Sequence, residues 1–227
     1  MFHIRKTIDL LQAYLFPHLV NMAYAKKIIT YFNGDGGHQA NADTGDLGYG
    51  YIHYALIRNS KPQRILCIGS RKGYIPAICA LACQDNGIGK VDFVDAGYGR
   101  EHKNHWSGIA WWKQIDPVKH FSFLHLNTII TTYVMTTKEF AQKYPKNTYD
   151  YIYVDGDHSS QGVNLDYRLF WPKLTKHGFM VFHDVCVKYT KTLGHFGVWK
   201  FWKKLRNKHT ITFPFPKESG LGIIQKT

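Results

Sequence analysis

Short apolar runs recur along this chain, and segments with helical spacing separate them. Arg64–Ile68 (RILCI), Val91–Val94, Ile130–Met135, Tyr151–Val154 and Phe179–Phe182 are rich in β-branched, aromatic and other apolar side chains. The run from Tyr151 to Val154, leading into Asp155, has no polar interruption, which predicts a short strand buried on both faces. Tyr51–Asn59, Tyr74–Cys83 and Gln161–Leu174 carry helical patterns. Strands and helices alternating in this way predict a single α/β domain with a mostly parallel, doubly wound sheet. Near the end, Thr210–Phe215 and Gly220–Gln225 read as a strand pair, so the last strand is expected to run antiparallel. No repeat or linker divides residues 1–227.

Three segments depart from this rhythm. Residues 1–32 place Ile8, Leu10, Leu11, Leu15, Leu19 and Val20 in a helix-like pattern that Pro17 breaks or kinks. Such a helix packs on the domain or on a second copy, which would make a homo-oligomer. Ala23-Tyr24-Ala25 has the look of a cleavage site, but Gln12, Pro17, His18 and Asn21 interrupt the apolar run and argue against a signal peptide. No run reaches the length of a membrane span. Residues 33–50, NGDGGHQANADTGDLGYG, form a glycine-rich loop that either folds over a ligand or is a mobile connection. Residues 96–129 are far longer than a usual α/β connection and include His102, His105, Trp106, Trp111, Trp112 and His120. This insertion is either an acceptor-binding lid or a helix whose tryptophans pack on the core.

Composition narrows the function without choosing it. Of 227 residues, 44% are hydrophobic and 15% aromatic, which excludes a disordered chain. The net charge of +13 attracts anions: nucleic acid, acidic membrane, or a phosphorylated or carboxylated small molecule. Cys67, Cys79, Cys83 and Cys186 fall inside strand and helix patterns, as reduced thiols of a cytoplasmic core do. Cys79 and Cys83 lie four apart, but no second ligand pair completes a metal site. In the tail, VWKFWKKLRNK alternates aromatic and basic residues at helical spacing. It either lies on an anionic surface or, as expected here, packs its tryptophan face and solvates its lysines.

The chemistry concentrates at strand ends. Arg64–Ile68 runs into Gly69-Ser70-Arg71-Lys72-Gly73 and then a helix, a tight turn that lets a ligand approach the backbone. Arg71 stands where a full dinucleotide fingerprint would carry its middle glycine. Asp95, at the tip of the second strand, lies 22 residues beyond Gly73, a spacing suited to accepting ribose hydroxyl protons. The fourth strand ends in Asp155-Gly156-Asp157-His158, and the fifth in His183-Asp184. Neighbouring strands four and five should bring Asp155 and Asp184 together, where a hard cation such as Mg²⁺ would relieve their repulsion. Asp157 is available to orient His158 or to cap the following helix.

These motifs, GSRKG, Asp95, YDYIYVDGDH (Tyr149–His158) and HGFMVFHDV (His177–Val185), resemble in order and spacing those of class I S-adenosylmethionine-dependent methyltransferases. The DGDH and FHDV pair looks like the sugar and small-molecule O-methyltransferase branch. The resemblance covers about residues 45–187 and implies a Rossmann-like, seven-stranded fold. It implies that Gly69, Ser70 and Gly73 line the methionine end of S-adenosylmethionine, with Asp95 and Ala96 at its ribose. It also places Thr136 at the adenine and Asp155 beside the cofactor. It implies that Asp155, His183 and Asp184 hold a divalent metal, with Asp155 and His158 catalytic and His158 the general base. Two positions depart from the pattern: Cys67 stands where many relatives carry an acid, and His183 where the metal-binding relatives carry one. The implied acceptor is a small molecule, a sugar among them. The high charge leaves RNA as an alternative acceptor, and the departures leave an inactive cofactor-binding protein as another.

Overall fold

The computed structural model describes residues 21–34, 37–99, 110–191, 194–205, 209–214 and 219–227. The central sheet contains β1 (Arg64–Ile68), β2 (Lys90–Asp95), β3 (Ile130–Val134), β4 (Tyr149–Val154), β5 (Leu174–His183), β8 (Thr210–Phe213) and β9 (Leu221–Gln225). A two-residue pair, β6 (Tyr189–Thr190) and β7 (Gly194–His195), forms a separate small ribbon. The sheet order is β3-β2-β1-β4-β5-β9-β8. β1 to β5 pair in parallel, whereas β9 runs antiparallel to both β5 and β8. The strand order reverses between β1 and β4, and in open α/β sheets ligands bind outside the carboxyl ends of the strands at such a switch point.

Strand side chains divide between two cores. Ile65, Cys67, Phe93, Tyr151, Tyr153 and Val181 pack in one cluster. Their alternates Leu66, Ile68, Val94, Ile152, Val154 and Phe182 pack in the other. That period of two, with both faces apolar, is why these runs show little alternation in hydropathy. The first face is covered by α1 (Met22–Phe32), α2 (Tyr49–Ser60) and α3 (Tyr74–Asn86). The second is covered by α6 (Thr137–Lys143), α7 (Ser160–Phe170) and α8 (Val198–Leu205). Among the described residues no helix is long and apolar enough to cross a membrane.

Local chemistry sets the element ends. The Asn21 side chain accepts from the amides of Ala23 and Tyr24 and starts α1, so Ala23-Tyr24-Ala25 lies in a packed helix. The helix pattern of residues 1–20 lies outside the described residues. α7 ends at Phe170, four residues earlier than the periodicity predicts, because Pro172 cannot continue it. β5 starts at Leu174, before the expected Phe179–Phe182 run, and carries a bulge at Lys176-His177-Gly178, where the pairing with β4 jumps from Tyr149–Leu174 to Tyr151–Phe179. α8 buries Val198, Phe201 and Trp202 and leaves Lys203 and Lys204 exposed, as expected of a packed amphipathic helix.

The described part of the insertion packs on the core. α4 (Trp111–Gln114) and α5 (Pro117–Phe121) bury Trp112, His120 and Phe121. Trp112 stacks on Phe121 and meets Phe93 edge-on. His102, His105 and Trp106 lie outside the described residues. Residues 37–48 of the glycine-rich loop are folded, with the Tyr49 amide donating to His38 O and the Tyr74 hydroxyl to Leu47 O. Gly48 has φ +52, and a Cβ there would stand 2.3 Å from the Gln39 carbonyl carbon. This turn carries His38 to the carboxyl edge of the sheet.

Candidate active site

The glycine turn after β1 is built to come close to its neighbours. The Gly69 amide donates to Val94 O and the Asp155 amide to Ile68 O, tying together the carboxyl ends of β1, β2 and β4. Gly69 has φ +68, and a Cβ on it would lie 2.2 Å from Asp155 O. Gly73, at φ +87, is pressed against Phe121 and Trp112 of the insertion. Between them Ser70 is 3% exposed, and its hydroxyl has no hydrogen-bond partner among the described residues. A buried hydroxyl left without a partner is costly unless something is to meet it.

Asp95 stands at the tip of β2 and is partly buried. It accepts from the Gly97 amide at 2.7 Å and from the backbone of Ser70, which links it to the turn. Burial outweighs these two hydrogen bonds and pushes its pKa up to about 6. Ala96 follows it, also partly buried. Thr136 sits farther along the edge at the start of α6, where its hydroxyl is bound to Glu139 in a capping box. Cys67 points into the core toward Cys79, 4.0 Å between sulfurs, away from the edge. Burial raises the Cys79 and Cys83 thiols, the latter to about 12, as core thiols require.

The ends of β4 and β5 converge on a closed cluster. Asp155 Oδ1 lies 3.2 Å from His158 Nε2 and 3.0 Å from His183 Nδ1. Asp184 places Oδ2 2.9 Å from His158 Nδ1 and Oδ1 3.4 Å from His183 Nδ1. The two carboxylates expected to face each other are thus bridged by two imidazoles. His183 Nε2 is 2.9 Å from Gly37 O, and the Tyr153 hydroxyl donates to Asp155 Oδ2 at 3.0 Å. The hydrogen-bonding partners of His183 are oxygens, carboxylates at Nδ1 and a backbone carbonyl at Nε2, an arrangement that favours the doubly protonated ring. Burial disfavours that charge, but Asp184 and Asp155 overcome it and hold His183 well above its usual range. The same opposition lifts His158 to about 9 and holds Asp155 and Asp184 well below the ordinary carboxylate range.

His158 has 14% of its side chain exposed, against 9% or less for its three partners, which makes it the most accessible member of the cluster. Phe196 lies over its ring at 5.2 Å. Asp157 accepts from the Ser159 amide, while Ser159 itself caps α7. Asp157 therefore shapes the turn after β4. Asp184 adopts φ +59, a left-handed conformation that Asp tolerates better than most residues.

Sequence reasoning did not single out His38, Gly37, Tyr153 or Phe196. His38 is 4% exposed, with its ring centroid 5.1 Å from that of His183. Burial, followed by the neighbouring His183, lowers it to about 3. Gly37 O accepts from His183, and the Ser219 hydroxyl reaches the same carbonyl at 3.4 Å. The Tyr49 hydroxyl, beside Ser219, accepts from the Gly220 amide at 2.8 Å. The loop before α2 and the segment before β9 are thereby joined behind His183.

Known proteins share this arrangement of elements. Residues 66–185 match a family model described as a methyltransferase domain, which covers just over half of the chain. An uncharacterised protein of Sinorhizobium fredii is 24% identical over 184 residues, spanning 78% of this chain and 19% of that protein. This chain thus corresponds to about a fifth of its curated relative. The O-methyltransferase of Bacillus cereus, solved with S-adenosylhomocysteine, superposes with a TM-score of 0.60 at 12% identity, covering 97% of each chain. The O-methyltransferase of tomaymycin synthesis from Streptomyces achromogenes, solved with S-adenosylmethionine, gives 0.57 at 14% identity over 97% of this chain and 96% of that one. At such identities the likeness is one of fold. With the family match across the strand ends that carry the site, it places this chain in the class I S-adenosylmethionine-dependent methyltransferase family.

Proposed function

We propose that this chain transfers the sulfonium methyl of S-adenosylmethionine to a hydroxyl oxygen of a small-molecule acceptor, with sugars the first class to test. The observation that carries this reading is the Asp155–His158–His183–Asp184 cluster at the carboxyl ends of β4 and β5, one strand from the glycine turn. The turn supports the cofactor reading: Gly69 and Gly73 hold a tight left-handed backbone between β1 and the following helix, and the Ser70 hydroxyl lacks a partner among the described residues. In this reading Asp95 and Ala96 would meet the ribose, and the backbone about Thr136 the adenine.

When bound, the cofactor supplies an electrophilic methyl on a positively charged sulfur. The chain must align the hydroxyl with that methyl, exclude water and accept one proton. His158, the most accessible member of the cluster, is the assigned proton acceptor. It must be neutral when the hydroxyl arrives, with the hydroxyl taking the place of one carboxylate oxygen at the ring. The carboxylate that stays on the other ring nitrogen then holds the imidazolium that forms. His158→Gln is expected to lower turnover by about 10²–10⁴-fold while leaving S-adenosylhomocysteine affinity essentially intact, as read by calorimetry. Undiminished turnover would remove His158 from this role. Binding without turnover on any hydroxyl panel would identify a cofactor-binding protein instead. Salt-sensitive RNA methylation would make the acceptor RNA, the reading that the +13 charge favours.

Asp95 gives a pH test of the cofactor site. Ribose hydroxyls donate to a carboxylate, and protonation removes that acceptor. With the Asp95 carboxyl at about 6, affinity for S-adenosylhomocysteine should fall as pH drops through that value. About a tenfold rise in Kd is expected between pH 7.5 and pH 5, the worth of one charge-assisted hydrogen bond. Asp95→Asn should bind weakly at both pH values, and a wild-type Kd that stays flat would move the ribose elsewhere.

The resemblance also implies Mg²⁺ at Asp155 and Asp184. The residues do not fit it: the His183 Nδ1 stands at 3.0 and 3.4 Å from the two carboxylates, and Mg²⁺ demands oxygen ligands in near-octahedral geometry.

A further inference from the structure

The geometry points to a second kind of metal site at this edge: His38, Asp155 and His183 form a three-ligand site for a nitrogen-accepting divalent ion of the Zn²⁺ or Co²⁺ type. The ion shares the edge with the proposed methyl transfer, but its binding rests on these three side chains and needs no turnover. One ligand atom from each residue lies within 4.8 Å of the others. Three donors each about 2.1 Å from one tetrahedral ion lie about 3.4 Å apart, so a contraction of up to about 1.4 Å seats all three.

Three observations separate this set from a chance cluster. First, His38 is 4% exposed, and its Nδ1 has no hydrogen-bond partner among the described residues. A buried ring with an unpaired nitrogen beside a carboxylate and a second imidazole is costly as a purely structural element. Second, the ligand rings and oxygens are already oriented from behind. His183 Nε2 donates to Gly37 O at 2.9 Å, which turns Nδ1 toward Asp155. Metal-bound histidines commonly use their second nitrogen in this way. The Tyr153 hydroxyl donates to Asp155 Oδ2 at 3.0 Å and leaves Oδ1 on the side of the rings. Third, the donor set is two nitrogens and one carboxylate oxygen. That composition selects against Mg²⁺ and for first-row ions that accept imidazole.

Without metal, a proton on His183 Nδ1 occupies the contact with Asp155. The ion takes its place, the proton leaves to solvent, and Nε2 keeps its hydrogen for Gly37 O. Three protein ligands leave a coordination position open to water or to an acceptor oxygen.

A competing set, Asp155, His158 and Asp184, shares only Asp155 with this one. The experiment therefore titrates Co²⁺ into the full-length chain, free of any affinity tag, and reads its visible d–d absorption. One equivalent is expected to bind with micromolar or tighter affinity, to be displaced by stoichiometric Zn²⁺ and to resist a thousandfold excess of Mg²⁺. His38→Ala and His38→Gln, each shown to be folded by circular dichroism, are expected to weaken Co²⁺ by at least tenfold. Either the absence of a Co²⁺ signal or unchanged binding in both variants would overturn the site; unchanged binding would place the ion on the competing set. Calorimetry with S-adenosylhomocysteine on the same samples reports the methyltransferase reading separately, so the failure of one does not disguise the failure of the other.

Discussion

Asp155→Asn is expected to lower folding stability by about 3–5 kcal/mol and to abolish methyl transfer. The substituted side chain keeps its shape but loses its charge at the point where two imidazoles and a phenol converge. Oδ1 serves His158 at 3.2 Å and His183 at 3.0 Å, and Oδ2 accepts from Tyr153. With 9% or less of the Asp155 and Asp184 side chains exposed, solvent screens these interactions little. In the variant, two buried imidazoles share Asp184 alone. An amide NH₂ turned toward them meets N–H donors, while the opposite flip leaves one uncharged acceptor for two rings. Urea unfolding followed by tryptophan fluorescence measures the change. A loss below about 1 kcal/mol, within the range of an exposed ion pair, would mean that the rings are held by packing instead.

Gly69→Ala is the second substitution with a large expected effect, and its cause is steric. The native φ of +68 costs an alanine about 1–2 kcal/mol. The added Cβ would also stand 2.2 Å from Asp155 O and 2.7 Å from the Asp155 carbonyl carbon. Both are backbone atoms of a central strand end, so no side chain can rotate away. Relieving such an overlap costs about a further 1–3 kcal/mol. The total of about 2–5 kcal/mol should appear as a lowered unfolding midpoint. Because relief must push β1 from β4 at the site, S-adenosylhomocysteine binding should weaken by at least tenfold even where the variant is folded. Wild-type affinity in a folded Gly69→Ala protein would show that the turn does not define the cofactor site.

Much of this site was legible because it lies where apolar runs stop. Asp95, Asp155, His183 and Asp184 each end or follow a strand, and strand ends on one edge are brought together by parallel pairing. The bridging of the carboxylates by imidazoles was not legible. It depends on the register of Val154 with Phe182 and on the left-handed turn at Asp184, which sets the direction of that side chain. His38 was hidden for a different reason. Its loop has no periodicity, and its path is fixed by contacts distant in sequence, among them Tyr74 with Leu47 and Gly37 with His183. The capping box at Thr136 was readable as Thr-x-x-Glu. Weighing it would have assigned the Thr136 hydroxyl to the helix start before any ligand.

The groups behind His183 bear on how such a site could be moved between proteins. The family match runs from residue 66 to residue 185, yet Gly37, His38 and Tyr49 lie before it and Ser219 and Gly220 after it. β9, which separates β5 from β8 and pairs Leu221 with His183, also lies beyond it. A transplant of the shared segment alone would carry all four strand-end residues and strand them without the carbonyl and the hydroxyl web that aim His183. The transferable unit of this site is therefore larger than the stretch that the family model matches.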